Sequence, residues 1–174
     1  MNSIAVVVAA VALWGGTGAA PARAQCFDLP QLLGIGSARL AVEHPESIRQ
    51  LPAAEWQLQR AASPTQEIVW TSVQTTTLGV AAAEVRLRPL PGQPTPDVLL
   101  KTTQAACLRQ VRSALKSQGV KPVPVTCPNC EAQRYQAPEF VATFYSGLKG
   151  DFPYLLVVHP VAPPAGTTAP VSRE

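Results

Sequence analysis

An apolar segment at the N terminus constrains this chain most, because it decides which part folds and in which redox compartment. Residues 4–13 form an unbroken apolar run, and Ala22 and Ala24 stand three and one positions before Gln25. Small residues at these two positions after a short apolar run are typical of a secretory signal peptide. We therefore predict that residues 1–24 are a signal peptide and that the mature protein is periplasmic or secreted.

An uncleaved membrane anchor is the alternative interpretation of the same segment. A membrane-spanning helix needs about 20 mostly apolar residues, and Gly15, Gly16 and Gly18 interrupt this segment too early. Cleavage is therefore favoured, and it leaves about 150 residues, which is the size of one domain. We expect a single exported domain over residues 25–159 and a proline-rich, disordered tail over residues 160–174.

Composition and charge exclude two further classes of protein. With 47% apolar and 14% charged residues, the chain has enough apolar surface to build a core and is not a solvated polymer. Its formal net charge of +3 is too small to indicate a nucleic-acid-binding protein. We therefore expect a folded domain with no nucleic-acid partner and no membrane span after signal cleavage.

Alternating apolar and polar residues predict that most of the domain is β-structure. Residues 56–59 alternate in this way, as in a strand with one buried face. Residues 85–88 repeat the pattern and would point Arg86 and Arg88 outward. Further strands are predicted at residues 68–73, 123–126, 140–145 and 154–159.

One long amphipathic helix is predicted over residues 96–118. Thr95 suits the N-cap, Pro96 the first helical position and Asp97 the positive end of the helix dipole. Gly119 supplies a C-terminal stop. At 100° per residue, one stripe of this helix contains Leu100, Gln104, Cys107, Leu108, Val111 and Leu115.

A shorter helix near the start of the domain is indicated by one pattern and opposed by another. Asp28 and Gln31 have the spacing of a capping box, whereas Gly34 and Gly36 each cost up to ~1 kcal/mol in a helix interior. The predicted fold is therefore α+β, with an antiparallel sheet of five to six strands covered on one face by the single long helix. The predicted order of elements is β-β-β-α-β-β-β.

Four cysteines behind an export signal predict two disulfides. A bridge from Cys26 to Cys107 would tie the N-terminal segment to the helix, and a bridge from Cys127 to Cys130 would clip a turn between strands. The alternative pairs Cys107 with one cysteine of the Cys-Pro-Asn-Cys motif at residues 127–130.

The same motif has two chemical interpretations. In a periplasmic thiol–disulfide oxidoreductase, Cys127 would attack and Cys130 would resolve the mixed disulfide, but Pro138 leaves no room for the helix that usually follows such a motif. A structural zinc site needs four ligands, usually as two such pairs, and this chain has one pair. We therefore expect structural disulfides, no metal and no cofactor, and we keep the oxidoreductase as the alternative.

Basic side chains supply the candidate partner-binding surface. The predicted helix carries no acid after Asp97. Four of its basic residues lie within an arc of about 80°, and they are Lys101, Arg109, Arg112 and Lys116. Arg86 and Arg88 of the third predicted strand could extend this face toward an acidic partner.

No catalytic constellation is recognisable in the sequence. His44 and His159 have no partner suggested by spacing, and the acidic residues are scattered singly. We therefore predict a non-enzymatic, disulfide-stabilised envelope protein that binds another macromolecule, with an acidic envelope protein as the expected partner. An inhibitor, an immunity-type protein or an accessory subunit of an envelope assembly would fit. A small-ligand carrier with a pocket between helix and sheet is a third hypothesis.

Overall fold

The described part of the protein is built on one open antiparallel sheet. The computed structural model describes residues 26–37, 44–60 and 66–161; the predicted signal peptide and residues 162–174 of the predicted tail lie outside these ranges. The sheet has eight strands, which are β1 Trp56–Arg60, β2 Ile68–Ser72, β3 Ala83–Arg88, β4 Asp97–Thr102, β5 Pro122–Pro124, β6 Glu131–Ala137, β7 Phe140–Ser146 and β8 Tyr154–Pro160. The described residues also form two α-helices. Helix α1, Leu29–Ser37, precedes β1, and helix α2, Ala105–Ser117, lies between β4 and β5.

The strand order joins two four-stranded meanders at the centre of the sheet. The order is β1-β2-β3-β4-β8-β7-β6-β5, so that β4, the last strand of the first meander, pairs with β8, the last strand of the second. The helix α2 carries the chain from the centre of the sheet to β5 at the far edge, and successive strands then return toward the centre.

One face of the sheet forms the hydrophobic core with both helices. Val85, Leu100, Leu156 and Phe144 are in register across four neighbouring strands, and each is fully buried. The helices complete this core with the buried side chains of Leu32, Ile35, Leu108, Val111 and Leu115. Charged side chains at alternating positions of the same strands therefore lie on the opposite face.

The helix α1 forms in spite of its two glycines. The main-chain N–H of Gln31 donates to Asp28 Oδ1 at 2.8 Å, and the N–H of Asp28 donates to Gln31 Oε1 at 2.9 Å, which confirms the predicted capping box. A Cβ atom at Gly36 would lie 2.8 Å from Val98 Cγ2 and 2.9 Å from Pro160 Cγ. Glycine is therefore required at this position because the helix packs directly on the two central strands.

The long helix was wrongly predicted at its start. Residues 97–102 form β4, and α2 begins only at Ala105. The apolar run of β4 is only Val98–Leu100, and a run this short cannot be told from a segment of a buried helix by periodicity. The end was predicted correctly, because α2 stops before Gly119, which has a φ of +78°.

The number and order of strands were also wrong. The sequence predicted five to six strands in the order β-β-β-α-β-β-β, and the structure adds β4 before α2 and β6 after it. Only Ala132 and Tyr135 are buried in β6, so its sequence carries little apolar periodicity. The α+β class and the antiparallel sheet are confirmed. Pro160 closes β8 and is buried, so it does not belong to a tail.

Both edges of the sheet carry features that oppose the addition of another strand. Pro122 and Pro124 occupy two of the three positions of β5, and proline has no main-chain N–H to donate. At the other edge the register of β1 shifts between Leu58 and Arg60, as at a β-bulge. A partner that binds by extending the sheet is therefore disfavoured at both edges.

Candidate functional site

The six basic residues predicted to form one surface fall into two groups. Arg86 and Arg88 lie on β3 and Lys101 lies on β4, on the sheet face that points away from the helices. The other three, Arg109, Arg112 and Lys116, lie on α2. The prediction that Lys101 is helical was wrong, because β4 occupies that part of the chain.

Arg86, Arg88 and Lys101, which form the sheet group, are each paired with a carboxylate. The Arg86 guanidinium lies 2.9 Å from Glu67 Oε2 and also binds Glu84, and Arg88 Nε lies 2.7 Å from Glu67 Oε1. The ammonium of Lys101 lies 3.3 Å from Glu84 Oε1. This network sets two carboxylates against three cationic groups and so offsets most of their positive charge.

The charges in this network shift two pKa values. Burial raises the pKa of Glu67. The hydrogen bonds from Arg88 and Arg86 and the charges of both arginines lower it by a larger amount, so the pKa lies below its usual value. The hydrogen bond to Glu84 raises the pKa of Arg86 against the opposing effect of burial. Both shifts favour the charged forms and so stabilise the network.

The basic residues of α2 border a cleft instead. This cleft has a volume of about 540 Å³ and lies between the first half of α2 and the ends of β6, β7 and β8. It lies at one end of the sheet, and its lining residues include Ala105, Arg109, Arg112, Cys130, Glu131 and Ser146. Lys116 follows one helical turn after Arg112, outside the cleft.

Arg112 is held in the cleft by an aromatic ring and not by an acid. Its guanidinium carbon lies 5.0 Å from the centroid of the Phe144 ring, which is within the range of a cation–π interaction. Its Nε atom is buried and has no hydrogen-bond partner among the described residues. The Nε atom is too buried to meet an anion from outside, but the terminal guanidinium nitrogens also form no hydrogen bond among the described residues and can donate to an anion in the cleft.

Within the described ranges, neither Arg109 nor Arg112 forms an ion pair. The one carboxylate among the lining residues belongs to Glu131, and one of its oxygens lies 3.5 Å from the hydroxyl of Ser146. The cleft therefore contains two unpaired guanidinium groups opposite a single carboxylate.

The start of α2 adds to the positive potential of the cleft. Ala105, the first residue of α2, lines the cleft. The N-cap residue Gln104 makes no capping hydrogen bond with its side chain, and the first turn contains no acidic residue. The positive end of the helix dipole is therefore not compensated by a side chain of that turn.

The two disulfides of the structure differ in position and span. Cys26 is bonded to Cys107, 81 residues away, and Cys107 is 1% exposed. Cys127 is bonded to Cys130 in the turn before β6, and both residues are partly exposed. Chain entropy predicts a stabilisation of about 4.5 kcal/mol for a loop of the first length and about 2 kcal/mol or less for the second.

A histidine and an aspartate form an ion pair on the open face, and like the other ion pairs of this face it was not predicted. His159 Nδ1 lies 2.8 Å from Asp97 Oδ1, and both side chains are largely buried between β4 and β8. The two residues are 62 positions apart, so no local pattern could have indicated the pair. Among the described residues it has no nucleophile hydrogen-bonded to it, and His44 pairs only with the exposed Glu46 at 3.4 Å.

The comparisons with known proteins add nothing to this geometry, since no family model, curated protein or solved structure matches the chain. Over residues 26–37, 44–60 and 66–161, no helix is long and apolar enough to cross a membrane. The arrangement of the cleft is suited to binding an anion by electrostatic attraction and charge-assisted hydrogen bonds.

Proposed function

We propose that this protein is an exported, disulfide-stabilised binding protein that receives an acidic group of another macromolecule in the cleft beside α2. The observation that carries this proposal is the contrast between the two groups of basic residues. Every basic residue of the sheet group has a carboxylate partner, whereas Arg109 and Arg112 have none among the described residues. Unpaired guanidinium groups in a concave site favour pairing with a carboxylate or phosphate of a partner.

A macromolecular partner is favoured over a small acid by the extent of the basic surface. Arg109 and Lys116 are exposed on the outer surface of α2, and with Arg112 they form a strip along the helix at spacings of three and four residues. A free small ligand would contact the cleft alone. A folded partner would also contact this strip, which would accelerate its association.

The compartment and the type of partner follow from the sequence. The signal-peptide pattern of residues 1–24 supports export, and the two disulfides are compatible with an oxidising compartment. An acidic protein of the cell envelope is therefore the expected partner, and the protein would act on it as an inhibitor or immunity-type protein or as an accessory subunit.

The test uses two pairs of arginines that the structure separates. We expect a fluorescein-labelled hexaglutamate peptide to bind the wild type at low salt, with fluorescence anisotropy as the measurement. The double variant Arg109→Ala/Arg112→Ala should weaken this binding by about tenfold or more. The matched control Arg86→Ala/Arg88→Ala removes the same charge from the other face and should change the affinity by less than about twofold.

Two results would contradict the proposal. Equal losses in both double variants would show that only net charge matters and that the cleft is not a site. In a pull-down from envelope extract at low salt, the wild type should retain a specific partner that the Arg109→Ala/Arg112→Ala variant does not retain. If no partner is retained by the wild type, the macromolecular part of the proposal fails even when the peptide binds.

A further inference from the structure

We propose that the Cys127–Cys130 bridge is a thiol–disulfide exchange site in which Cys130 is the leaving and resolving sulfur. This activity goes beyond the binding function proposed above and does not depend on it. A strand and not a helix follows the motif, so the motif has no helix N terminus of its own to stabilise a thiolate. In the structure, α2 supplies positive charge beside the motif instead.

The two bridges differ in their access to an external thiol. Cys107 is 1% exposed and lies under the N-terminal segment that Cys26 anchors. Cys127 and Cys130 are partly exposed, and the turn that contains them opens onto the cleft. Cys26 is partly exposed as well, so an attacking thiolate can reach both sulfurs of the second bridge but only the Cys26 sulfur of the first.

The two bridges also differ in what they hold together. The Cys127–Cys130 bridge spans three residues, and the Cys26–Cys107 bridge spans 81. The loop closed by the shorter bridge adds little constraint to the unfolded chain. The antiparallel pairing of β5 with β6 and of β6 with β7 holds both ends of the turn independently of the sulfur atoms. The fold can therefore tolerate cleavage of this bridge.

The surroundings of the two sulfur atoms assign their roles. Cys130 lines the cleft that also contains Arg109, Arg112 and the first residue of α2, and Cys127 does not line it. Nearby cations stabilise a thiolate, and a stabilised thiolate is the better leaving group. Glu131 follows Cys130 and opposes this effect with one negative charge, against two guanidinium groups and the positive end of a helix dipole.

The exchange reaction uses a dithiol as the reductant, which supplies the two electrons that reduce the bridge. One thiolate of the dithiol attacks Cys127 Sγ, the bond between the two sulfurs of the bridge breaks, and its electron pair passes to Cys130 Sγ as the thiolate. The second thiol of the dithiol then attacks the mixed disulfide and releases Cys127. The dithiol is oxidised to its cyclic disulfide, and the bridge is reduced to two cysteines. In the reverse direction Cys127 attacks an oxidised partner and Cys130 resolves the mixed disulfide.

Titration of the oxidised full chain with dithiothreitol tests the inference. Free thiols are alkylated at each step and located by peptide mass spectrometry, while circular dichroism monitors the fold. We expect Cys127–Cys130 to open first, with the circular dichroism spectrum unchanged and Cys26–Cys107 intact. Simultaneous reduction of both bridges, accompanied by unfolding, would overturn the inference.

Two matched experiments test the assigned roles. The variant Arg109→Ala/Arg112→Ala should need about threefold to tenfold more dithiothreitol to open the bridge. The variant Arg134→Ala, which removes an exposed charge on the other face of β6, should need the same amount as wild type. Glutathione should form its mixed disulfide on Cys127. An unchanged dithiothreitol requirement, or a mixed disulfide on Cys130, contradicts the proposed roles.

The same variants separate this inference from the binding function. If Arg109→Ala/Arg112→Ala loses the hexaglutamate peptide but keeps the wild-type dithiothreitol requirement, the cleft binds anions and has no effect on the bridge. If the dithiothreitol requirement rises while peptide binding is absent from the wild type, the exchange site is supported and the binding function fails.

Discussion

Glu67 is bound by two arginines on the open face of the sheet. Its oxygens accept from Arg88 Nε at 2.7 Å and from the Arg86 guanidinium at 2.9 Å. Its side chain is only 23% exposed, so these ion pairs are less screened than those of a fully exposed pair. Its pKa is lowered because the two arginines outweigh the opposing effect of burial. The folded state therefore binds a proton at Glu67 more weakly than the unfolded state does.

This pKa shift predicts a loss of stability in acid. The contribution of Glu67 is fully present above its unfolded pKa, near the ordinary value of 4.5, and is lost as the pH falls through the lower folded value. The variant Glu67→Gln should be less stable than wild type at pH 7, by about 1 kcal/mol. The difference should shrink below a pH of about 4.5, as measured by urea unfolding at a series of pH values.

The exposed Glu139 provides the control for this measurement. Its replacement, Glu139→Gln, should change the free energy of unfolding at pH 7 by less than about 0.5 kcal/mol. If Glu67→Gln follows the wild-type curve across the acid range, the two arginines do not stabilise the Glu67 carboxylate in the folded state.

Among the helices and strands, α1 shows how local and distant interactions combine. The capping box of Asp28 and Gln31 satisfies two main-chain N–H groups at its start. The burial of Leu32 and Ile35 against β4 and β8 stabilises it further. Gly36 lowers the intrinsic helix propensity but allows this close packing. The same residue therefore opposes the isolated helix and favours the packed one.

Removal of the cap should destabilise the protein through α1 alone. The variant Asp28→Ala leaves the N–H of Gln31 without its acceptor, and we expect the free energy of unfolding to fall by about 1 kcal/mol. The midpoint of urea unfolding measures this loss. Ser113→Ala, at an exposed position inside α2, is the control and should cause no loss. A wild-type midpoint for Asp28→Ala would mean that the capping hydrogen bonds add no net stability.

Across the whole molecule, the two meanders are joined by the pairing of β4 with β8 and by the core beneath it. The Cys26–Cys107 bridge ties the segment before α1 to α2, so that both helices are fixed over this junction. The Cys127–Cys130 bridge lies at one end of the sheet and joins residues that are already neighbours along the chain. The two bridges should therefore contribute very differently to global stability.

Paired serine variants test this difference. Cys26→Ser/Cys107→Ser should lower the free energy of unfolding by about 4.5 kcal/mol, because the unfolded chain loses a long-loop constraint. Cys127→Ser/Cys130→Ser should lower it by about 2 kcal/mol at most. Chemical denaturation of both variants and of wild type gives the comparison. Equal losses would show that the constraint on the unfolded chain does not decide the contribution of either bridge.

The sequence predicted individual residues of the candidate site but not how they are arranged in space. Helical periodicity placed Arg109 and Arg112 on one side of a helix, and the spacing of the motif indicated the turn at residues 127–130. The cleft between them depends on Phe144, whose ring lies under Arg112, and on the position of β6. The pairing of Arg86 and Arg88 with Glu67 likewise depends on the register of β2 and β3. No pattern within a few residues contains this information.

By itself, the sequence determined the features that arise from neighbours along the chain. These include the capping box at Asp28, the end of α2 before Gly119 and the strands with one buried face, because hydrogen bonds and side-chain alternation act over a few residues. Only the tertiary structure decided that residues 97–102 are a strand, because pairing with β3 and β8 on both sides outweighs their helical periodicity. It also decided which basic residues are neutralised and which face a cleft, because charges pair according to distance in space and not along the chain.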